Sequence, residues 1–353
     1  MTTEVPGPSG PDAGETAALE PRYSPEVGRR TRDVLDRVRR VIPEMEWPVH
    51  APYVDAIREW KARRNAVVLA HNYQTPEIFH GVADITGDSL ALARKAAETR
   101  ADVIVMAGVH FMAETAKILS PGKTVLIPDL EAGCSLASSI TAADVRLLRE
   151  RYPGAPVVTY VNTSAEVKAE SDVCCTSANA AEVVASLGVP RVIFLPDEYL
   201  GKHVASHTET EVVLWKGHCE VHERFRGEEI RAFRGQHPDV VVLAHPECPP
   251  DVLAASDYVG STAGMVRHID ATRPARVVLV TECSMADNVA VEFPETEFVR
   301  PCNLCPHMKR ITLPKILRAL VTMEHRVEVE EAVAERARRA VERMLAVGQG
   351  AGR

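Results

Sequence analysis

The chain has no apolar run long enough to cross a membrane, no leader of the secretory kind, and no surplus of positive charge. The first absence excludes a helical span, which needs about 20 consecutive apolar residues. The second argues against export and sets the expectation of a cytoplasmic protein. The third argues against general nucleic-acid binding: 41 Lys and Arg face 49 Asp and Glu, for a net charge of −8. No basic patch or helix-turn-helix pattern relieves that balance, although a local pocket for small anions stays open. In a reducing compartment the eight cysteines are expected to be ligands, buried thiols or redox groups rather than structural disulfides.

What the chain does have is a repeat. Cys134, Cys219 and Cys305 lie 85 and 86 residues apart. Each follows a serine that opens an expected helix, Ser89, Ser177 or Ser261, by 45, 42 or 44 residues. Further upstream each segment has a β-rich run ending in a polar side chain: His71 after AVVLA, Asn162 after VTYV and His245 after VVVLA. Self-similarity at a fixed period signals repeated architecture. Short apolar strands alternating with helices indicate parallel sheets covered on both faces. The expected fold is therefore α/β: three similar three-layer αβα domains with parallel sheets, related by pseudo-threefold symmetry around a central site.

The Gly-, Pro- and acid-rich residues 1–22 read as a disordered tail. The expected boundaries are then 23–139 for leading helices and the first repeat, 140–225 for the second and 226–312 for the third. Residues 313–353 read as helices packing on the body, with the last a candidate to close the site.

In parallel sheets, ligands collect at the carboxyl ends of the strands. His71, Asn162, His245 and the three post-strand cysteines all belong to that edge. Their wide spacing does not match a zinc finger, a ferredoxin run or a thioredoxin-type pair. Three thiolates converging from three repeats fit a [4Fe–4S] cluster better, with one iron left open as a Lewis acid. For any one cysteine, burial as an inert small hydrophobe is the better reading; recurrence in three repeats reverses it. Cys302 forms a CxxC pair with Cys305, but the period selects Cys305 as ligand and leaves Cys302 as a spare thiol and candidate redox partner. Cys174, Cys175, Cys248 and Cys283 fall off the period and read as structural or near-site thiols.

Ser89, Ser177 and the Ser261–Thr262 pair precede helices, where a cap alone would justify each at roughly 1 kcal/mol. Together at one rim they read instead as anion ligands. The loops after the first strands hold His71, Tyr73, Tyr160, Asn162, His245 and Glu247, a set suited to acid–base chemistry. His110, His218, His222 and His307 have no assigned role.

The segments AHNYQTPE, DITGDSLALAR, GVHFMAETAKIL, PDLEAGCSLA, TYVNTSAEVKAESDVCCTSANA, WKGHCEVHERF, AHPECP, GSTAGM and CNLCPHMKRITL together resemble the quinolinate synthases, iron–sulfur enzymes of bacterial de novo NAD synthesis. The resemblance spans about Val54 to Leu345. It implies condensation of iminosuccinate (iminoaspartate) with dihydroxyacetone phosphate, losing phosphate and water, with the imine supplied by an aspartate-oxidising enzyme. By motif position it implies Cys134, Cys219 and Cys305 as cluster ligands. It implies His71, Ser89, Tyr160, Asn162, Ser177, His245, Glu247 and Thr262 as the dicarboxylate site, with Tyr73 and Glu247 moving protons. Some members carry a further cysteine where this chain has Val299, so a thiol switch built on that run does not carry over. The rival classes are a non-catalytic iron–sulfur sensor and, more weakly, a zinc-dependent lyase, which lacks clustered His and carboxylate ligands in the sequence.

Overall fold

A computed structural model describes residues 18–347. It contains three parallel four-stranded sheets. The first is built from β1 (Ala66–His71), β2 (Ile85–Gly87), β3 (Val103–Ala107) and β4 (Thr124–Leu126). The second uses β5 (Val157–Tyr160), β6 (Val173–Cys175), β7 (Arg191–Leu195) and β8 (Glu211–Leu214). The third uses β9 (Val241–Ala244), β10 (Tyr258–Val259), β11 (Arg276–Val280) and β12 (Glu297–Val299). All three share one order, with the second strand outside the first and the third and fourth on its other side. The expected three-domain α/β architecture is present. The strands β2, β6 and β10 have only two or three residues each, too few to show an alternation in the sequence.

The first strands sit at the centre of each sheet. Val68, Leu69 and Ala70, Val157 and Val158, and Leu243 and Ala244 are fully buried; each buried Val or Leu is worth about 1.5–3 kcal/mol. Each first strand is also pinned by an aspartate just ahead of the short outer strand. Asp84 accepts from the Val68 amide at 2.8 Å, Asp172 from Val157 at 2.7 Å and Asp257 from Val242 at 2.8 Å. A cation 23 residues earlier completes each staple: Lys61 at 2.7 Å, Arg149 at 2.7 Å and Arg234 at 2.8 Å. The same cations also donate to the carbonyls of Val82, Glu170 and Ala255.

These contacts fix the true register of the repeat. Val68, Val157 and Val242 are equivalent, so three residues on His71 matches Tyr160 and His245, and Tyr73 matches Asn162 and Glu247. The alignment of His71 with Asn162 and His245 was therefore shifted in the second repeat. Likewise the equivalent hydroxyls are Ser89, Ser177 and Thr262, each five residues after the stapling aspartate. Ser89 and Thr262 open their helices, while the capping is done by the residue before: Asp88 accepts from Ala91 N and Ser261 from Gly264 N. Ser177 precedes a helix that begins at Ala180.

The chain before β1 folds as helices Pro25–Arg30, Arg32–Val38 and Trp47–Arg64, the last ended by Asn65 in a left-handed conformation. Most of the tail assigned to residues 1–22 lies outside the described residues, but Ala18 and Leu19 pack against the main core. The helix Glu331–Ala346 buries Ala334 and Ala337 against Ile118, Ala165 and Ala169. It lies on the second sheet's flank and lines no part of the central cavity, so it does not close the site as the sequence suggested. Among the described residues no helix is long and apolar enough to cross a membrane.

Candidate active site

The carboxyl edges of the three sheets meet around one cavity of about 70 Å³. His71, Tyr73, Ser89, Tyr160, Asn162, Ser177, His245, Glu247, Thr262, Cys134, Cys219 and Cys305 all line it. In each domain the loop carrying the cysteine is tied down two residues before the sulfur. The amides of His110, Glu198 and Cys283 donate to the carbonyls of Ala132, Gly217 and Asn303. Each cysteine then starts a tight turn, its carbonyl accepting from the amide four residues on at 3.0, 3.0 and 3.1 Å.

That turn gives the sulfurs one common environment. The amides two and three residues on, Leu136 and Ala137, Val221 and His222, His307 and Met308, hydrogen-bond toward the three thiols and favour thiolate. Burial opposes them, pushing Cys134 up to about 12 and raising Cys219 and Cys305 as well. Such a site resists a free thiolate but suits a bound one, because coordination removes the proton outright. Three equivalent soft ligands on one cavity therefore fit an iron–sulfur cluster.

The polar half of the cavity is built from the positions that the register makes equivalent. The amide of Tyr73 donates to His71 Nδ1 at 3.2 Å, and that of Glu247 to His245 Nδ1 at 3.4 Å. Both rings thus carry their proton on Nε2, and His245 Nε2 lies 3.1 Å from Ser177 Oγ. Burial pushes His71 down to about 4 and His245 to about 3, so both are neutral near pH 7. Thr262 Oγ1 accepts from Asn72 Nδ2 at 2.8 Å. Asn162 Oδ1 is buried without a hydrogen-bond partner, an acceptor a ligand would have to satisfy.

Glu247 is nearly inaccessible, with 3% exposure. Burial pushes its carboxyl up, but His245, His222 and hydrogen bonds from His222 and Tyr160 overcome that and hold it well below the usual range. Since His245 is itself neutral, we ascribe the effect at neutral pH to the hydrogen bonds: Tyr160 OH to Oε1 at 2.5 Å and His222 Nδ1 to Oε2 at 2.8 Å. Tyr73 and Tyr160 move the other way, burial raising both well above the usual tyrosine value. They remain neutral hydroxyls.

His222, left without a role from sequence, is 1% exposed at the centre of this network. Its Nδ1 lies 3.1 Å from Cys219 Sγ, and its Nε2 lies 2.9 Å from Thr281 Oγ1. Thr281 in turn meets Tyr73 OH at 2.6 Å. A hydrogen-bonded chain therefore runs from Tyr73 through Thr281 and His222 to Glu247. Only the position of His222 three residues after a recurring cysteine pointed to it; Thr281 gave no signal.

Two expectations need correction. Cys302, expected to be a spare thiol, and Cys283, expected to be a structural or near-site thiol, are joined in a disulfide with Cα atoms 5.0 Å apart. The backbone bridge between Glu282 and Asn303 brings the two thiols together. The grounds for setting aside a zinc enzyme also change, since ligand atoms of Cys219, His222 and Glu247 lie within 4.8 Å of one another.

Comparison with known proteins gives the family. Residues 55–346 match the family model described as quinolinate synthetase A protein. The chain belongs to this family. It is 69% identical to quinolinate synthase 2 of Mesorhizobium japonicum over 89% of this chain and 97% of that protein. It is 68% identical to the quinolinate synthase of Agrobacterium fabrum, over 89% and 91% of the two chains. For the quinolinate synthase of Xylella fastidiosa the figure is 66%, over 83% and 87%. The family match encloses every strand and all the cavity residues named above.

Proposed function

We propose that this protein is a cytoplasmic quinolinate synthase that condenses iminosuccinate with dihydroxyacetone phosphate, releasing phosphate and water, for NAD synthesis. The observation that carries the reading is the buried Tyr73–Thr281–His222–Glu247 chain facing the same cavity as three equivalent thiols. A [4Fe–4S] cluster held by Cys134, Cys219 and Cys305 would supply an iron with an open coordination position, a Lewis acid for a hydroxyl or carboxylate.

The protein's own groups do the rest. The hydroxyls of Ser89, Ser177 and Thr262 and the Nε2–H groups of His71 and His245 bind and orient carboxylates, and Asn162 Oδ1 accepts from the imine or amine nitrogen. Neutral imidazoles suit this task, since they donate hydrogen bonds without competing for the substrate's protons. Glu247, held ionised, takes a proton from the carbon chain. Tyr73, held neutral, gives a proton to the departing hydroxide. Each dehydration leaves Glu247 protonated and Tyr73 deprotonated, and transfer along His222 and Thr281 restores both. Tyr160 keeps the second Glu247 oxygen engaged. The imine is unstable in water, which favours supply by an aspartate-oxidising enzyme acting close by.

The test is anaerobic purification, iron and sulfide analysis, and an assay for quinolinate from the two substrates. Iron and sulfide in equal amounts with quinolinate formed is the expected result. Stoichiometric zinc with no sulfide would favour a mononuclear site on Cys219, His222 and Glu247. A loaded cluster with no turnover on either substrate would favour the sensor reading.

A further inference from the structure

Tyr73 is held at both ends by the third domain. Its hydroxyl meets Thr281 Oγ1, and its carbonyl accepts from Lys309 Nζ at 2.6 Å. The same ammonium donates to Ser284 Oγ at 2.7 Å and lies 2.9 Å from Glu282 Oε1. An ammonium has three donors, and here each has one acceptor from a different position on the backbone. Glu282 is 1% exposed; its other oxygen accepts from the Ser284 amide at 2.9 Å, and Oε1 also takes the Cys305 amide at 3.4 Å. The flanking carbonyls of Asn72 and Gln74 are both gripped by Asn288 Nδ2, at 3.1 and 2.8 Å.

The arrangement is particular to one domain. The residue equivalent to Glu282 is Val109 in the first domain and Asp197 in the second. Asp197 Oδ2 is buried without a partner. Among the described residues only the third domain pairs this position with a lysine, and that lysine reaches into the first domain's loop. Lys309 also lies four residues after Cys305, in the turn that follows the sulfur.

We infer that Lys309, with Glu282 as its counter-ion, is a positioning residue that sets the Tyr73 segment relative to Thr281 and the Cys305 loop. The inference rests on the reading of Tyr73 as proton donor given above. Lys309 touches no reacting atom; it acts by fixing the main chain at Tyr73, so the hydroxyl reaches the relay. A displacement of about 1 Å in such a group costs on the order of 10²-fold in rate.

The test compares Lys309→Met, Lys309→Arg and the double variant Lys309→Met/Glu282→Gln with the unaltered protein. The single Met variant leaves a buried carboxylate unpaired, which by itself destabilises; the double variant removes that charge and isolates the effect of the lost grip on Tyr73. Expected for the double variant are a wild-type cluster absorption spectrum, a dissociation constant for phthalate (a dicarboxylate analogue) within about threefold, and kcat reduced roughly 10²-fold. Lys309→Arg keeps the charge but offers a planar fork to three divergent acceptors, so kcat should still fall, on the order of tenfold. In cluster-free protein, hydrogen exchange of the segment 71–76 should quicken in both Met variants. Unchanged exchange, or a double variant that regains normal kcat together with stability, overturns the inference. Should the unaltered protein make no quinolinate, the functional reading fails, and the exchange measurement still decides whether Lys309 positions this segment.

Discussion

The two ends of the three sheets obey different rules. At the end where the first strands begin, the domains are copies. Lys61 with Asp84, Arg149 with Asp172 and Arg234 with Asp257, each pair 23 residues apart, pin the equivalent amide. At the carboxyl end, equivalent positions hold different chemistry: Tyr73, Asn162 and Glu247 at one level, His71, Tyr160 and His245 at another. Only the cysteines and the hydroxyls of Ser89, Ser177 and Thr262 keep their type at both threefold-related sets. Repetition thus builds the frame, and departure from repetition gives the cavity its unlike polar groups. A neutral hydroxyl, an unpaired acceptor and an ionised carboxylate can face one cavity because the three equivalent loops differ.

The comparison can be broken most severely at the conserved part of the variable end. Changing Cys134, Cys219 or Cys305 to Ser should remove the cluster and all turnover, read as loss of bound iron and sulfide. Cys174→Ser, at a buried thiol off the cavity, should spare both. A fully loaded cluster in Cys219→Ser would show that the equal environments of the three sulfurs are incidental.

The asymmetric positions come next. Glu247→Gln keeps size and hydrogen bonding but cannot exchange a proton, so turnover should drop on the order of 10²-fold or more with the cluster spectrum intact. Thr281→Val cuts the chain between Tyr73 and His222 without touching the cavity wall. A loss of about tenfold or more is expected, and a normal rate would mean that Tyr73 is reprotonated from solvent.

A smaller effect appears in stability against pH. His71 titrates at about 4 when folded because of burial, against about 6.5 unfolded. Its folded value is depressed, so as pH falls from 6.5 toward 4 the unfolded chain takes up a proton that the folded one refuses. Stability is lost across that window and is recovered above it. Between pH 7 and 5.5 the loss is about 1 kcal/mol for this ring. Denaturant titration of cluster-free protein should show it, and His71→Gln should reduce the slope by this ring's share, leaving the part due to His245.

Turnover is expected to change least at the repeated end. Asp172→Ala removes one staple with half-exposed partners, at a cost of about 1–2 kcal/mol and with turnover within about twofold. Asp84→Ala and Asp257→Ala should cost the same to within experimental scatter. A marked inequality would mean that the three sheets are not energetically alike.

Much of this was legible beforehand. Apolar runs such as AVVLA and VVVLA announce parallel strands buried on both faces, and the period of the cysteines announces three domains. In the second copy residue type misleads by two positions: Asn162 looks more like a counterpart of the two histidines than Tyr160 does, yet Tyr160 holds their place. Hydrogen bonds, not residue type, define equivalence: the amide of Val157 belongs with those of Val68 and Val242. The short strands β2, β6 and β10 are silent in the sequence for a related reason, since they are held by the neighbouring strand and not by their own pattern.

The sequence by itself determined the layered fold, the number of domains and the identity of the thiols that recur, because strand burial and helix periodicity are local properties that repeat along the chain. Only the tertiary structure decided how the chemistry is wired. Tyr73 meets Thr281 across 208 residues, and Lys309 meets the Tyr73 carbonyl across 236. Such contacts arise where three separate strand edges converge on one cavity. There a hydroxyl, an imidazole and a carboxylate must satisfy one another, and no spacing in the sequence records which will be in reach.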